Sequence, residues 1–246
     1  QTASTALQLG RGLDRIERLG LELVDLAASI GGGRPMLAGT CFKTLGELLA
    51  DPSLLEMPDA VVPGLAWAGR LTMVAAREKA GKSTLVAWAA AAVSRGRDWL
   101  GDRTTAAPVL WVGMEEALGD AVRRFGEADA DPTMVHVLDG PALPYGHQDI
   151  LAAVDRVRPA LVVVDSLAAY GNGRVEDWSS AGNVTPIMLE LLNLARQSGA
   201  AVVLLHHAAK ASGSYRDSTA IGAVVDVILS LEIVDADSPQ RKVRAV

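Results

Sequence analysis

Gly81-Lys82-Ser83 sets a lysine and a hydroxyl side by side directly after a glycine, a combination suited to holding a polyphosphate. These residues close the segment Ala76-Arg77-Glu78-Lys79-Ala80-Gly81-Lys82-Ser83, followed by Thr84. The segment is the pattern G-x-x-x-x-G-K-[ST] with alanine in place of its first glycine. Successive backbone N–H groups in such a loop, together with the first turn of the helix behind it, form an anion cradle. Lys82 then reaches the outer phosphates and the Ser83 hydroxyl completes a Mg²⁺ shell, so ATP and Mg²⁺ are the expected cofactors. The expected cradle runs from Ala76 to Thr84. Were Ala76 held at positive φ, its side chain would cost about 1–2 kcal/mol, which a fold can absorb.

Two acidic positions complete this chemistry. Asp165 follows the apolar run Leu161-Val162-Val163-Val164 and is expected at the C-terminal end of a strand, the edge where open α/β sheets bind ligands. There it can hold the Mg²⁺ that Ser83 also holds. No second acid follows it, because Ser166 is next. The base that orients the attacking water is therefore expected at Glu115, after the apolar stretch Pro108 to Gly113, with Glu116 as its rival. His206 and His207 end a later apolar run, and alternation along a strand lets only one of them face the nucleotide. A zinc site is not expected, since His136, His147 and Cys41 lack ligand spacing.

Strands and helices must deliver these groups. Leu71 to Ala75 reads as a buried strand, and the alanine-rich segment after the loop has helical apolar spacing (Leu85, Trp88, Ala92) up to Gly96. Further strands are expected at 108–113, 134–138, 160–164 and 200–205, with helices over 117–128 and 150–157. Thr185-Pro186 is expected to cap and start a helix that stops at Gly199. Val224 to Ile233 and Lys242 to Val246 read as a closing hairpin. Near-continuous aliphatic strands alternating with helices imply an α/β fold with a mostly parallel sheet covered on both faces. Ahead of it, residues 5–30 read as an amphipathic helix ended by Gly31-Gly32-Gly33-Arg34-Pro35, with a short helix at Leu45–Ala50. The division expected is a helical linker or appendage over 1–60 and a core over 61–246.

Composition narrows the classes. Half of the 246 residues are apolar and 21% charged, which supports a large core and excludes wholesale disorder. The net charge of −6 argues against a constitutively basic nucleic-acid surface, though not against a local basic loop. Such a loop is present at Ala208 to Thr219, where Lys210 and Arg216 offer cations to phosphates and Tyr215 a face for base stacking. One cysteine, Cys41, fits a reducing, cytoplasmic setting. No apolar run reaches the roughly 18 residues of a membrane helix, and no membrane association is expected.

Taken in order, AREKAGKST, PVLWVGMEE, LVVVDSLAAY, AAVVLLHHAAK and YRDSTAIGAVVD resemble the RecA-type P-loop ATPase core. Within it they are most similar to the RepA-like hexameric replicative DNA helicases of plasmids and phages. The likeness runs from about Val61 to Ile233. It implies a RecA-like core with a C-terminal β-hairpin, nucleotide sites shared between subunits of a homo-oligomeric ring (a hexamer), and ATP-driven movement along single-stranded DNA. By position, Lys82 and Ser83 match the nucleotide loop, Glu115 the catalytic glutamate, Asp165 the magnesium aspartate, and His207 or His206 the strand-end sensor. Two positions depart: Ala76 stands where the family often has glycine, and Asp217 follows Arg216 where many relatives have Arg-Gly. Relatives supply a cation in trans from the hairpin, where this chain has Arg241, Lys242 and Arg244. A chain that opens on Gln1 and stops at Val246 is expected to be a piece of a longer protein, such as the C-terminal half of a primase–helicase fusion. The alternative class is a KaiC-like ATP-dependent switch or assembly protein that translocates nothing. A small-molecule phosphotransferase fits less well, because no lid or acceptor signature follows the phosphate loop.

Overall fold

The computed structural model describes residues 44–139, 146–207, 219–234 and 240–246. The expected helix over 5–30, Cys41, and Lys210, Tyr215 and Arg216 lie outside the described residues. The chain divides into two units, Gln1–Glu56 and Met57–Val246. In the first, helix α1 (Leu45–Leu49) begins with a capping box. The Thr44 hydroxyl accepts from Glu47 N at 3.2 Å, and the Glu47 carboxylate accepts from Thr44 N at 2.6 Å. A single 3₁₀ turn, Pro52–Leu55, follows.

The second unit is built on a seven-stranded sheet. In chain order its elements begin with a two-stranded pair, β1 (Ala60–Val62) and β2 (Ala66–Trp67), then β3 (Leu71–Ala76) and α2 (Lys82–Arg95). A second small pair, β4 (Asp98–Trp99) and β5 (Asp102–Arg103), precedes β6 (Val109–Gly113), α3 (Leu118–Glu127), β7 (Val135–Asp139) and α4 (His147–Val157). Then come β8 (Leu161–Asp165), α5 (Leu167–Tyr170), α6 (Ala181–Ser198), β9 (Ala201–His207) and α7 (Thr219–Val224). The chain closes with β10 (Val227–Ile233) and β11 (Arg241–Ala245), the expected hairpin. The sheet order is β11-β10-β3-β9-β8-β6-β7, parallel throughout except for the antiparallel β10–β11 pair.

Side-chain alternation sorts the central strands onto two cores. Met73, Val162, Val164, Val202 and Leu204 pack with Ile150 of α4 and Met188 and Leu191 of α6. Val74, Leu161, Val163, Val203 and Leu205 pack on the other face with Val86, Ala90 and Val93 of α2 and Phe125 of α3. Small alanines on α2 let it lie close to the sheet, and residues 87 and 89–91 are fully buried. Because successive residues point to opposite faces, this parity also decides where the strand-end side chains go.

Two helix starts differ from expectation: α4 begins at His147, three residues before the expected 150, and α6 also begins early. Helix α6 starts at Ala181, a turn before Thr185-Pro186, and carries Pro186 inside it. The Thr185 hydroxyl donates to Ala181 O at 2.7 Å instead of capping. The extra turn buries Val184 completely, and packing of an apolar face outweighs the one hydrogen bond proline removes.

Candidate functional site

The carboxyl ends of β3, β9, β8 and β6 converge on the start of α2. Ala76 ends β3 buried, and its φ is not positive, so the alanine in place of glycine carries no backbone strain. The left-handed residues of the loop are Lys79 (φ 59°) and Gly81 (φ 96°), and Gly81 stands immediately before α2. That is where glycine freedom is needed. The bend aims the N-terminus of α2 at the strand edge.

Lys82 is the first residue of α2 and only 5% exposed. Its ammonium donates to Ala76 O at 3.2 Å and Arg77 O at 3.3 Å, and lies 3.2 Å from His207 Nδ1. Burial lowers its pKa, while the charges of Asp165, Glu115 and Glu78 hold it up. Ser83, one residue on, hydrogen-bonds the Asp165 carboxyl. Asp165 shares its parity with Leu161 and Val163, so it faces α2 as the metal role requires. Burial raises its pKa and the Ser83 hydrogen bond opposes the rise. The Asp165–Ser166 peptide is cis.

The same parity separates the two histidines. His206 falls on the α6 side of β9, and His207, with Val203 and Leu205, on the α2 side beside Lys82. His207 Nε2 lies 3.1 Å from Glu115 Oε2, and the Ser166 hydroxyl donates to Glu115 Oε1. An ammonium has no acceptor, so His207 Nδ1 accepts from Lys82 and the ring proton sits on Nε2, donated to Glu115. The rival acid, Glu116, turns away: its carboxylate pairs with Arg124 of α3 at 2.6 Å. Glu115, not Glu116, joins the cluster around Lys82.

Several neighbours of this site were not expected from the sequence. Ser166 is one. Another is a recess of about 410 Å³ beside Gly81, lined among others by Thr84, Leu85, Trp88, Trp99, Leu231 and Arg241. Thr84 and Trp88 stand four residues apart on α2 and so share a face. That spacing was legible, but nothing in the sequence brought Trp99 or the β11 strand to it. Arg241 Nε donates to Ala80 O at 2.9 Å, so this cation lies against the chain's own phosphate loop, while Arg244 pairs with Glu232 at 3.6 Å. Lys242 lies opposite Glu232 in the hairpin register.

The residues fit a magnesium ion that arrives with phosphate. Buried Asp165 and half-buried Ser83 offer hard oxygen donors on one edge. Among the described residues no group of three His, Cys, Asp or Glu side chains could hold a metal alone. Among the described residues no helix is long and apolar enough to cross a membrane.

A family model described as "AAA domain" matches residues 23–213. Among solved structures, the chain is similar to a KaiC-like protein from the hyperthermophilic archaeon Pyrococcus horikoshii OT3. The two share 16% identity at a TM-score of 0.56, covering 77% of this chain and 87% of the other. At that identity the likeness is one of fold, and the fold is the RecA-like α/β core expected from the sequence. No curated protein sequence matches the chain.

Proposed function

We propose, from the premise that the chain belongs to the AAA domain family, that it hydrolyses ATP at the edge formed by Lys82, Ser83, Asp165, Glu115 and His207. The observation that carries this reading is the placement of Glu115: its carboxylate lies across the strand edge from Lys82, bridged by His207. Loop N–H groups from Arg77 to Thr84 and the N-terminus of α2 bind the phosphates, and the Lys82 ammonium turns from its carbonyl partners to the outer phosphate oxygens. Ser83 and Asp165 would hold Mg²⁺, which would supply neutralising charge to the phosphate oxygens. Glu115 accepts a proton from the water whose oxygen bonds to the γ-phosphorus. The bond from that phosphorus to the bridging oxygen breaks, and ADP leaves with the electron pair. The recess beside Gly81 takes the base on the exposed face of Trp88, with Trp99 as its wall.

Hydrolysis at this site serves a motor acting on single-stranded DNA within a homo-oligomeric, hexameric ring. The support is the order of five segments shared with RepA-like helicases, and the position of Lys210, Tyr215 and Arg216 directly after the strand that ends at His207. The second reading is an ATP-dependent switch or assembly protein, favoured by the fold likeness to a KaiC-like protein. Steady-state ATPase with and without single-stranded DNA separates them. Stimulation that is lost in the Lys210→Ala, Arg216→Ala double variant supports the motor. Hydrolysis indifferent to DNA supports the switch.

A further inference from the structure

We propose that Ser166 is the positioning residue for Glu115, a role that rests on the reading of Glu115 as the base. Serine at the residue before a helix ordinarily caps it by accepting from a backbone N–H in the first turn. Ser166 occupies that place ahead of α5, yet its side chain makes no capping bond. Its hydroxyl, 0% exposed, donates instead to Glu115 Oε1, a residue 51 positions earlier in the chain. A buried hydroxyl without a partner is costly, so this contact satisfies Ser166 and fixes Glu115 together.

The backbone ties the same two segments. Met114 N donates to Asp165 O at 2.9 Å, so the residue before Glu115 is anchored to the residue before Ser166. Gly113 precedes Met114, and a Cβ there would come within 2.9 Å of Trp111 Nε1. The Trp111 side chain of the same strand thus fills the space a side chain at residue 113 would need. With Oε1 held by Ser166 and Oε2 by His207, both carboxylate oxygens have a donor and the plane of the group is set. Each oxygen retains a lone pair for the attacking water. Asp165, the last residue of β8, and Ser166 after it then divide the work: Asp165 orders the metal side through Ser83, and Ser166 orders the base. Removing the hydroxyl leaves Glu115 chemically intact but free to rotate, which affects the step that needs its orientation and not the binding of nucleotide.

The test compares the whole chain as wild type, Ser166→Ala, Ser166→Cys, Glu115→Gln and the Glu115→Gln, Ser166→Ala double variant, by single-turnover and steady-state hydrolysis of MgATP. Ser166→Ala is expected to lower kcat about tenfold with KM for ATP within about twofold. Ser166→Cys, of similar size but a weaker donor, is expected to fall between it and wild type. The loss is expected to vanish in the Glu115→Gln background, because a residue acting through Glu115 has nothing left to position. A kcat for both Ser166 variants within about twofold of wild type overturns the proposal, and so does an equal loss in the Glu115→Gln background. Should Ser166→Ala fail to fold, Ser166→Cys and its double variant with Glu115→Gln decide by the same criteria. Wild-type hydrolysis in Glu115→Gln, or none in the wild type, overturns the underlying reading and this role with it. Failure of the Ser166 variants alone leaves that reading standing.

Discussion

His207 Nε2 lies 3.1 Å from Glu115 Oε2, while the other nitrogen of the same ring lies 3.2 Å from Lys82 Nζ. The imidazole therefore joins the group that binds phosphate to the group that activates water. A movement of Lys82 toward a phosphate removes the donor from Nδ1, and the change is felt at Glu115 through one ring. His207→Ala is expected to lower kcat about tenfold or more. His206→Ala, on the α6 face and 5% exposed, is expected to lower stability by about 1–3 kcal/mol with kcat per folded molecule nearly unchanged. Thermal melting and steady-state ATPase of the two variants check the split. An exchange of the two phenotypes would show that the strand parity assigned to β9 is wrong.

Glu115 and Glu116 are neighbours in sequence with different partners. Glu115 meets His207 and Ser166, whereas Glu116 meets Arg124 in a half-buried ion pair. Glu115→Gln is expected to retain ATP binding and lose about 10²–10⁴ in kcat, the usual range for a positioned base. Glu116→Gln weakens the pair with Arg124 and is expected to lower stability by about 1–3 kcal/mol, with hydrolysis within a few-fold of wild type. Nucleotide titration and single-turnover hydrolysis distinguish the two.

The phosphate loop, Asp165 and the order of strands and helices were legible because each rests on local pattern. Apolar runs fix strands, and a glycine before a lysine fixes the start of a helix. The choice between His206 and His207 was not legible, since it depends on which face of β9 meets α2, a fact set by sheet order. Ser166 was read only as the place where a second acid is missing. Its contact with Glu115 spans 51 residues and needs β6 and β8 to be neighbours. The start of α6 was misread for a related reason: Pro186 is a local stop signal, and the burial of Val184 that overrides it is tertiary. The cost that positive φ would have carried at Ala76 does not arise, because its backbone is that of a strand end with ordinary φ.

The recess beside Gly81 joins one aromatic from α2 with one from β4. Trp88 is half exposed and Trp99 is 8% exposed, so the first is free to stack on a ligand and the second forms the wall. A base stacked on an aromatic side chain gains about 1–3 kcal/mol, which acts equally on bound ATP and on its transition state. Trp88→Ala is therefore expected to raise KM for ATP about 5- to 100-fold and leave kcat within about twofold. Nucleotide binding followed by intrinsic tryptophan fluorescence gives an independent check: part of the signal change on adding ATP is expected to disappear in this variant. An unchanged KM would move the base out of the recess.

A second polar cluster predicts how the fold responds to acid. Tyr170 Oη donates to Glu190 Oε2 at 2.7 Å and lies 3.0 Å from His147 Nδ1, and Arg174 NH2 reaches Glu190 Oε1 at 2.5 Å. Burial pushes the Tyr170 hydroxyl well up, so it remains a donor at all physiological pH. Burial lowers the pKa of His147, with the Glu190 charge opposing and the Arg174 charge assisting. Burial alone would raise Glu190, but hydrogen bonds from Arg174 and Tyr170 and the Arg174 charge outweigh it, and its pKa is lowered. Both shifts act in one direction. A histidine harder to protonate when folded loses stability as pH falls below 6.5 toward its lowered value, because the unfolded chain then binds the extra proton. A carboxylate harder to protonate when folded does the same below 4.5. Melting temperature is therefore expected to fall in two steps on acidification. His147→Gln is expected to flatten the first step and leave the second, and Glu190→Gln to lower stability at neutral pH while weakening the second, to which the lowered carboxyls of Asp131 and Asp177 also contribute. A melting profile in which His147→Gln follows the wild-type slope between pH 7 and pH 5 would place the titrating group elsewhere.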